Sequence, residues 1–322
     1  MRKGVRGYWV LGLVCLMGMG GCCEDASCSS VEVFDSLIMG GYHSCALRAD
    51  TGEAVCWGHN GGERSTPPAG VQFASLSAGH SHVCGILKDT GEALCWGWNG
   101  DGQCDSPAGV QFSSLIAGHY HTCGIRADNG EAMCWGDDEE GQATPPEGVP
   151  FTSLSAGHQH TCGIRADYTL AECWGSNRHG QSVTPLNVKF ASLSAGAYHT
   201  CGLRADSGEA MCWGSDFDWT ADIVGQSTLP EGVLFTHLSA GSFHTCGLRA
   251  DNGEAMCWGS NIDWDGERID QSKPPKGVVF TYLIAGHYHT CGIRADNGEA
   301  LCWGYNAFHQ CDPPAGMVFA QP

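Results

Sequence analysis

The feature that most constrains this chain is a pair of cysteines eleven residues apart that occurs seven times. One copy reads HTCGIRADNGEAMCWG, from His121 to Gly136. The first cysteine advances by 39 residues four times and then by 45 residues twice. The pairs are Cys45/Cys56, Cys84/Cys95, Cys123/Cys134, Cys162/Cys173, Cys201/Cys212, Cys246/Cys257 and Cys291/Cys302. A period of this size predicts a solenoid, propeller or array whose units pack on their neighbours.

Each unit contains a β-hairpin signal between its two cysteines. In the copy quoted above an Asn-Gly dipeptide separates two short apolar runs, which is typical of a tight turn between antiparallel strands, and repeat 4 departs from it with Thr169 and Leu170 in place of glycine and glutamate. With residues 127–130 as the loop, Cys123 faces Cys134 and Arg126 faces Glu131. Directly opposed residues have Cβ atoms about 4.5–5.5 Å apart, close to what a disulfide requires. We therefore expect a disulfide across each hairpin, flanked by a cross-strand ion pair.

Residues 1–21 have the organisation of a secretory signal. Three basic residues fall within the first six, and an uncharged apolar run and two glycines follow. Cys22 comes directly after Met-Gly-Gly, which resembles the lipobox of a bacterial lipoprotein. The apolar run is short for a membrane anchor. We expect a cleaved lipoprotein-type signal, lipidation of Cys22 and a linker at 22–30. Cleavage without lipidation, giving a free secreted protein, is the alternative.

Export determines how the cysteines are interpreted. Outside the cytosol, paired cysteines persist as disulfides. A zinc site would need close spacing such as C-x2-C within the repeat, which no unit has. The fourteen periodic cysteines are therefore predicted to form seven disulfides. Cys23, Cys28, Cys104 and Cys311 lie outside the pattern, and their pairing stays open.

One complete unit covers residues 109–147, and Gly, Pro and Asn frequently interrupt its short segments. About four strands per 40 residues is typical of a propeller blade. We expect strands near 110–112, 114–117, 122–126 and 131–135. The AGxxHTC…DxGEAxCWGxNxxGQ pattern resembles the RCC1-type (regulator of chromosome condensation) repeat, in the cysteine-paired form of exported bacterial proteins. The resemblance implies an all-β, seven-bladed β-propeller over residues 31–322, and it implies no single activity because the fold hosts several.

The two ends of the repeat array differ in a way that predicts ring closure. An element ending in phenylalanine, which we call the Val-x-Phe element because six of its copies have that sequence, occurs eight times, whereas the hairpin occurs seven times. The surplus copy is Met317-Val318-Phe319 at the C-terminus. We expect it to join the blade that contains the N-terminal segment, because pairing the ends would remove an open sheet edge.

The charge of the chain restricts the classes of partner. The formal net charge is −19, and removing the three basic signal residues makes it −22. Nucleic acid and anionic lipid headgroups are poor partners for such a surface, whereas basic partners are favoured. We expect a monomer that meets the membrane only through its N-terminal lipid.

Two residue types recur once per unit and are interpreted as structural. A histidine precedes each first cysteine by two positions, and we expect it to make a hydrogen bond to backbone at the strand end. The tryptophan after each second cysteine is expected to pack between blades. A second histidine forms an H-x-H pair in four units, at His80, His119, His158 and His287. Such pairs could bind a transition metal, but no third ligand is evident from the sequence, so no metal site is assigned.

The informative departures are two insertions of six residues, in the loops after Trp-Gly of repeats 5 and 6. Equivalent positions in adjacent blades lie on one face, and insertions in repeat proteins commonly map to the binding face. Each loop offers an aromatic side chain among carboxylates, which favours a partner-binding site. The alternative is that the two loops pack on themselves. The candidate partner-binding residues are Asp216, Phe217, Asp218, Trp219, Asp263, Trp264 and Asp265. A calcium loop at residues 263–267 is a weaker alternative.

No nucleophile–base pair, phosphate-binding glycine loop or H-E-x-x-H motif is present. The sequence therefore favours a non-catalytic, exported scaffold without a cofactor, which binds a protein or a cell-envelope component. An inhibitor of a secreted or periplasmic enzyme is the first alternative, and a metal-binding or enzymatic propeller is the second. Guanine-nucleotide exchange is disfavoured because an exported chain would not meet a cytosolic or nuclear GTPase.

Overall fold

The computed structural model describes residues 32–320. The predicted signal at 1–21, lipidation at Cys22, the linker at 22–30 and the open Cys23–Cys28 pairing lie outside the described residues. The described strands, in chain order, are β1 (Glu32–Met39), β2 (His43–Arg48), β3 (Ala54–Gly58), β4 (Phe73–Ala78), β5 (His82–Leu87), β6 (Ala93–Gly97), β7 (Phe112–Ala117), β8 (His121–Arg126), β9 (Ala132–Gly136), β10 (Phe151–Ala156), β11 (His160–Arg165), β12 (Ala171–Gly175), β13 (Phe190–Ala195), β14 (His199–Arg204), β15 (Ala210–Gly214), β16 (Phe235–Ala240), β17 (His244–Arg249), β18 (Ala255–Gly259), β19 (Phe280–Ala285), β20 (His289–Arg294), β21 (Ala300–Gly304) and β22 (Met317–Phe319). A short 3₁₀ turn covers Gly61–Glu63.

The strands form seven sheets, one per repeat, which are the seven blades, and every strand pairing in them is antiparallel except that of β1 with β22. Six blades have three strands, so the expected four strands per blade were wrong. In blade 3 the two expected first strands are one strand, β7, with a register shift between Phe112 and Ser114. The residue before it, Gln111, instead bridges to Glu92 of blade 2. The middle residue of the Val-x-Phe element forms such a bridge to the previous blade at five of the seven junctions.

The hairpin register agrees with the sequence prediction. Cys123 faces Cys134 across β8 and β9. The expected cross-strand ion pair is wrong for Arg126, whose Nε donates to Asp128 Oδ1 at 3.0 Å. That aspartate lies two residues further along the same turn, so the side chain need not cross the strands.

All seven predicted disulfides are formed, with Cα–Cα distances of 4.0–4.1 Å. They join Cys45 to Cys56, Cys84 to Cys95, Cys123 to Cys134, Cys162 to Cys173, Cys201 to Cys212, Cys246 to Cys257, and Cys291 to Cys302. The two ends of each bridge differ in burial, which the sequence did not predict. The first cysteine lies on the middle strand of its blade and is fully buried. The second lies on the outer strand and is only half-buried, at Cys56, Cys95, Cys134, Cys173, Cys212, Cys257 and Cys302.

The core lies between neighbouring blades. In blade 3 the buried Phe112 packs on Trp135, with ring centroids 5.7 Å apart. The indole Nε1 of Trp135 donates to the carbonyl of Gln103 in blade 2 at 2.9 Å. The same tryptophan bond to the preceding blade recurs round the ring. The prediction that these tryptophans pack between blades is confirmed.

The ring closes as the surplus Val-x-Phe element predicted. Strand β22 pairs in parallel with β1, and Phe319 lies opposite Phe34. Their ring centroids are 5.9 Å apart, and both side chains are buried. Blade 1 therefore combines both ends of the chain in a four-stranded sheet. Within residues 32–320 no helix is long and apolar enough to cross a membrane.

Candidate binding face and axial channel

One face of the propeller gathers two kinds of segment from every blade. Because the strands are antiparallel, the turn between the first and second strands lies at the same end as the loop after the third strand. In blade 3 these segments are residues 118–120 and 137–146. They are joined by a hydrogen bond of 2.9 Å from Asp137 N to Tyr120 O. We call this end of the propeller the loop face.

Aromatic side chains cluster on the loop face. We define the aromatic collar as Tyr42, Tyr120, Tyr198, Phe243 and Tyr288 from the turns, with Trp98, Tyr305 and Phe308 from the loops. Ring centroids are 5.9 Å apart for Tyr42 and Tyr288, and 5.6 Å apart for Trp98 and Tyr120. Trp98 and Phe308 are each 39% exposed. The collar was not predicted from the sequence, although its members occupy two recurring positions of the repeat.

The acidic loop of blade 6 lies near the collar. Burial is the main cause that raises the pKa of Tyr42 to about 12, and electrostatic interactions with the Tyr305 phenol and the Asp263 carboxylate add to it. Burial also raises the pKa of Tyr288, with further contributions from Tyr42 and Asp263. These phenols stay protonated at neutral pH and present neutral hydroxyl groups beside a carboxylate.

The inserted loop of blade 5 is internally ordered. Phe217 and Ile223 form a β-bridge, and Asp218 N donates to Asp222 O at 3.0 Å. Asp218 is 6% exposed, and its Oδ1 accepts the Thr220 amide at 2.9 Å. The buried carboxylate therefore shapes the turn rather than facing a partner.

The exposed side chains of the blade 5 loop are aromatic. Phe217 is 48% exposed and Trp219 is 46% exposed. Asp216 accepts the amide and hydroxyl of Ser227, both at 2.8 Å, and so ties the two ends of the loop together. The loop thus holds two apolar rings in solvent on an ordered support.

The inserted loop of blade 6 repeats this arrangement. Asp263 is 5% exposed, and its Oδ1 accepts the amides of Asp265 and Glu267 at 3.0 and 2.9 Å. Trp264 is 54% exposed, and Asp265 is exposed beside it. Of the seven predicted partner-binding residues, the structure leaves Phe217, Trp219, Trp264 and Asp265 exposed. The other three stabilise the loops.

The loop face is strongly acidic. The seven loops after the third strands are residues 59–68, 98–107, 137–146, 176–185, 215–230, 260–275 and 305–314. Together they hold fifteen acidic side chains against four basic ones. This face therefore attracts cationic groups over a distance of about a Debye length, near 8 Å at physiological salt.

The two histidines of each H-x-H pair point to different places. His82 Nε2 lies 2.8 Å from Thr122 Oγ1 in the next blade, and that hydroxyl donates to Gln103 O. Equivalent bonds from this strand histidine to a hydroxyl cross five other junctions. The structural role is borne out, but the partner is a hydroxyl rather than the expected backbone. The strand histidine is therefore unavailable to bind a metal jointly with its H-x-H neighbour.

The other histidines, at His80, His119, His158 and His287, line a central channel of about 110 Å³. Gly41, Ala197 and Ser242 occupy the same position in the other blades. Burial, and then the positive charge of Arg64, lowers the pKa of His80 to about 3, so its imidazole is neutral at neutral pH. The channel histidines come from different blades, so their convergence depends on the ring and not on the spacing of the H-x-H pair within one strand.

Cys104 and Cys311 remain outside disulfides in the described part of the chain. Each thiol contacts a carbonyl of its own loop, Trp98 O at 3.5 Å and Tyr305 O at 3.3 Å. Burial raises the pKa of Cys104 to about 11 and that of Cys311 to about 12. Both thiols are therefore poor nucleophiles near neutral pH.

The repeat model described as "Regulator of chromosome condensation (RCC1) repeat" matches residues 73–103, 114–142, 190–218, 235–263 and 285–310. These segments fall in five of the seven equivalent blades. The chain therefore contains RCC1-type repeats. It has the cysteine-paired form, with one disulfide in each blade. No curated protein sequence matches the chain significantly.

Several solved structures resemble the chain. The ectodomain of the receptor kinase CR4 from Physcomitrella patens is 29% identical, with a TM-score of 0.70, over 85% of this chain and 73% of that one. The ectodomain of the Arabidopsis thaliana receptor kinase ACR4 is 27% identical, with a TM-score of 0.68, over 85% of this chain and 96% of that one. Prp20p from Saccharomyces cerevisiae, described with its binding to Gsp1p and histones, is 18% identical, with a TM-score of 0.56 and coverage of 74% and 73%. The last likeness bears on the fold alone.

Proposed function

We propose that this propeller is an exported, non-catalytic binding scaffold, anchored to a bacterial cell envelope by lipid on Cys22, that captures a protein with a basic surface. The observation that carries the proposal is the pair of ordered loops in blades 5 and 6. They hold Phe217, Trp219 and Trp264 in solvent on an acidic face. Exposed aromatic side chains on a rigid support are typical anchors of protein interfaces.

The order within the loops favours binding. Bridges and buried carboxylates already fix the two loops, so little conformational entropy remains to be lost when a partner docks. The surrounding acidic groups would accelerate encounter with a basic partner and set its orientation. We therefore expect the aromatic rings to determine the lifetime of the complex and the acidic side chains to determine its rate of formation.

The proposed location has two supports. Seven disulfides in one chain are typical of an oxidising compartment outside the cytosol. Two of the similar structures are described as receptor ectodomains, which face the outside of a cell. The lipid anchor rests on the sequence before Cys22.

The binding site is tested by Trp219→Ala combined with Trp264→Ala. Partners are first identified by crosslinking to the wild-type protein in envelope extracts, and their dissociation constants are then measured with purified components. The double variant should bind at least about 30-fold more weakly, because each hot-spot aromatic contributes at least about 1–2 kcal/mol. Tyr168→Ala is the matched control, since Tyr168 is 62% exposed on a hairpin at the opposite face. Unchanged binding by the double variant to every partner would refute the site.

The anchor is tested separately by Cys22→Ser. Wild-type protein should incorporate a labelled fatty acid and fractionate with membranes, and the variant should do neither. A wild-type protein that is recovered unlabelled and soluble would refute the anchor without affecting the binding site.

A further inference from the structure

The channel histidines of three blades come together on the propeller axis. The ring centroids of His80 and His119 are 4.0 Å apart, and those of His80 and His287 are 4.9 Å apart. One ring nitrogen from each of these three residues lies within 4.8 Å of the others. Strand positions in one blade could not produce this cluster, because its members belong to blades 2, 3 and 7.

Gly41 of blade 1 makes the approach of two of these rings possible. It occupies the channel position between His287 and His80 in the order of blades. A Cβ atom added at Gly41 would lie 2.6 Å from Cδ2 of His80. The glycine therefore leaves room for blades 7 and 2 to bring their histidines together across blade 1.

The ring nitrogens of the cluster are poorly satisfied by the protein. The Nδ1 atoms of His119 and His287 are shielded from solvent and have no hydrogen-bond partner within residues 32–320. Leaving a buried polar atom without a partner is costly, so each such atom calls for an explanation. His80 differs, because its Nδ1 lies 2.8 Å from Ser81 Oγ. That contact orients the ring and leaves Nε2 free, as in many metal-binding histidines.

The geometry points to a binding site for one divalent late transition metal ion, such as Zn²⁺, held by His80, His119 and His287. Zinc binds imidazole nitrogens at about 2.0–2.1 Å, which places tetrahedral ligands about 3.4 Å apart. From the 4.8 Å limit two nitrogens would need to close by about 1.4 Å, by rotation of the side chains away from the stacking of His80 on His119. Three histidines leave one coordination position for water or a partner's side chain. Imidazole ligands favour zinc, copper and nickel over calcium or magnesium.

This site is independent of the proposed partner site, because the histidines lie in the channel rather than on the inserted loops. A bound ion would join blade 7 to blades 2 and 3, on either side of the blade where the chain ends meet. We therefore expect the metal to stabilise the closed ring, since a ligand that binds only the folded state raises its stability.

The test uses full-length protein without a polyhistidine tag, treated with a chelator and with its free thiols alkylated. Titration with Zn²⁺ should show one equivalent bound with a dissociation constant below about 10 µM, and Co²⁺ should give the visible spectrum of a nitrogen-ligated site. His119→Gln and His287→Gln should each weaken binding at least about 100-fold. His309→Gln is the control, because His309 is an exposed histidine paired with Asp312 outside the channel, and it should bind like wild type.

A measurement on the wild-type protein guards against variants that fail to fold. In side-chain ¹⁵N spectra, Zn²⁺ should shift the imidazole signals of His80, His119 and His287 together, at one equivalent. The inference is overturned if the wild-type protein binds no Zn²⁺ at 100 µM metal. It is also overturned if the folded His119→Gln and His287→Gln variants bind like wild type, or if the shifted signals belong to exposed histidines such as His309.

Discussion

The junction between blades 1 and 2 lacks a hydrogen bond that the other six junctions have. The fully buried His43 should bond to the residue equivalent to Thr122, but that residue is Val83. Both ring nitrogens of His43 are therefore without a partner among the described residues. Val83→Thr should supply a hydroxyl that accepts from His43 and donates to the carbonyl of Arg64, as Thr122 does to His82 and Gln103.

The expected gain follows from the bonds formed and the methyl group lost. Each of the two new hydrogen bonds contributes about 0.5–1.5 kcal/mol, and the unsatisfied imidazole costs about 1–3 kcal/mol at present. Replacing a buried methyl by a hydroxyl loses about 1 kcal/mol of hydrophobic burial. We therefore expect Val83→Thr to raise the free energy of unfolding by about 1–2 kcal/mol.

The assay is unfolding in guanidinium chloride with the disulfides intact, followed by tryptophan fluorescence. With an m-value of roughly 4–6 kcal/mol/M for a domain of this size, the midpoint should rise by about 0.2–0.5 M. Thr122→Val is the reverse substitution at an intact junction, and it should lower the midpoint by a similar or larger amount. If Val83→Thr lowers the midpoint as much as Thr122→Val does, the claim that the histidine–hydroxyl bond stabilises the junction is refuted.

Two further predictions concern the pH dependence of stability and the cost of replacing glycines, one of which lines the central channel. Burial lowers the pKa of His82 to about 3 and that of His121 to about 4, so the unfolded chain binds more protons below pH 6.5. Each such histidine should therefore lower the free energy of unfolding by about 1.4 kcal/mol per pH unit as the pH falls from 6.5 towards 4. A denaturant midpoint that stays constant from pH 8 to pH 5 would contradict this. Gly157→Ala would place a Cβ atom 2.3 Å from Gly196 O and should cost more than about 3 kcal/mol, whereas Gly148→Ala, with open space but a φ of +69°, should cost about 1–2 kcal/mol in the same denaturation assay.

The local pairing in each blade could be predicted because it depends on short-range chemistry. The turn residues fix the hairpin register, and the register places Cys123 opposite Cys134. Ring closure was also predictable, since the surplus element ending at Phe319 needed a partner strand. In both cases the two segments that make the contact can be identified in the sequence by counting the repeats.

The number of strands per blade was less predictable. The apolar Val110, two residues before Phe112, resembles the start of a strand, but the next residue, Gln111, bridges to the preceding blade instead. The alternation of side chains along a strand does not show which neighbouring sheet will provide the pairing edge. Only the packing of one blade on the next decides this.

The channel cluster could not be derived from spacing within a strand. His80, His119 and His287 meet because the ring brings the equivalent position of every blade to the axis. A signal was nevertheless present, because histidine occupies this position in consecutive blades 2, 3 and 4 and also in blade 7. Arranging the repeats on a ring, rather than along a line, places these blades on both sides of Gly41.

Positions that differ between repeats show where the structure does not require the same residue type in every blade. The tryptophans recur because every blade junction uses them in the same way, and the strand histidines make the same bond at six of the seven junctions. Channel positions and loop lengths vary between blades, although the backbone there is equivalent. Because the fold tolerates several residues at these positions, selection for binding can act there without breaking a junction. The exposed Trp219 and Trp264 and the axial histidines all fall in this variable class, and they share the loop-face end of the propeller.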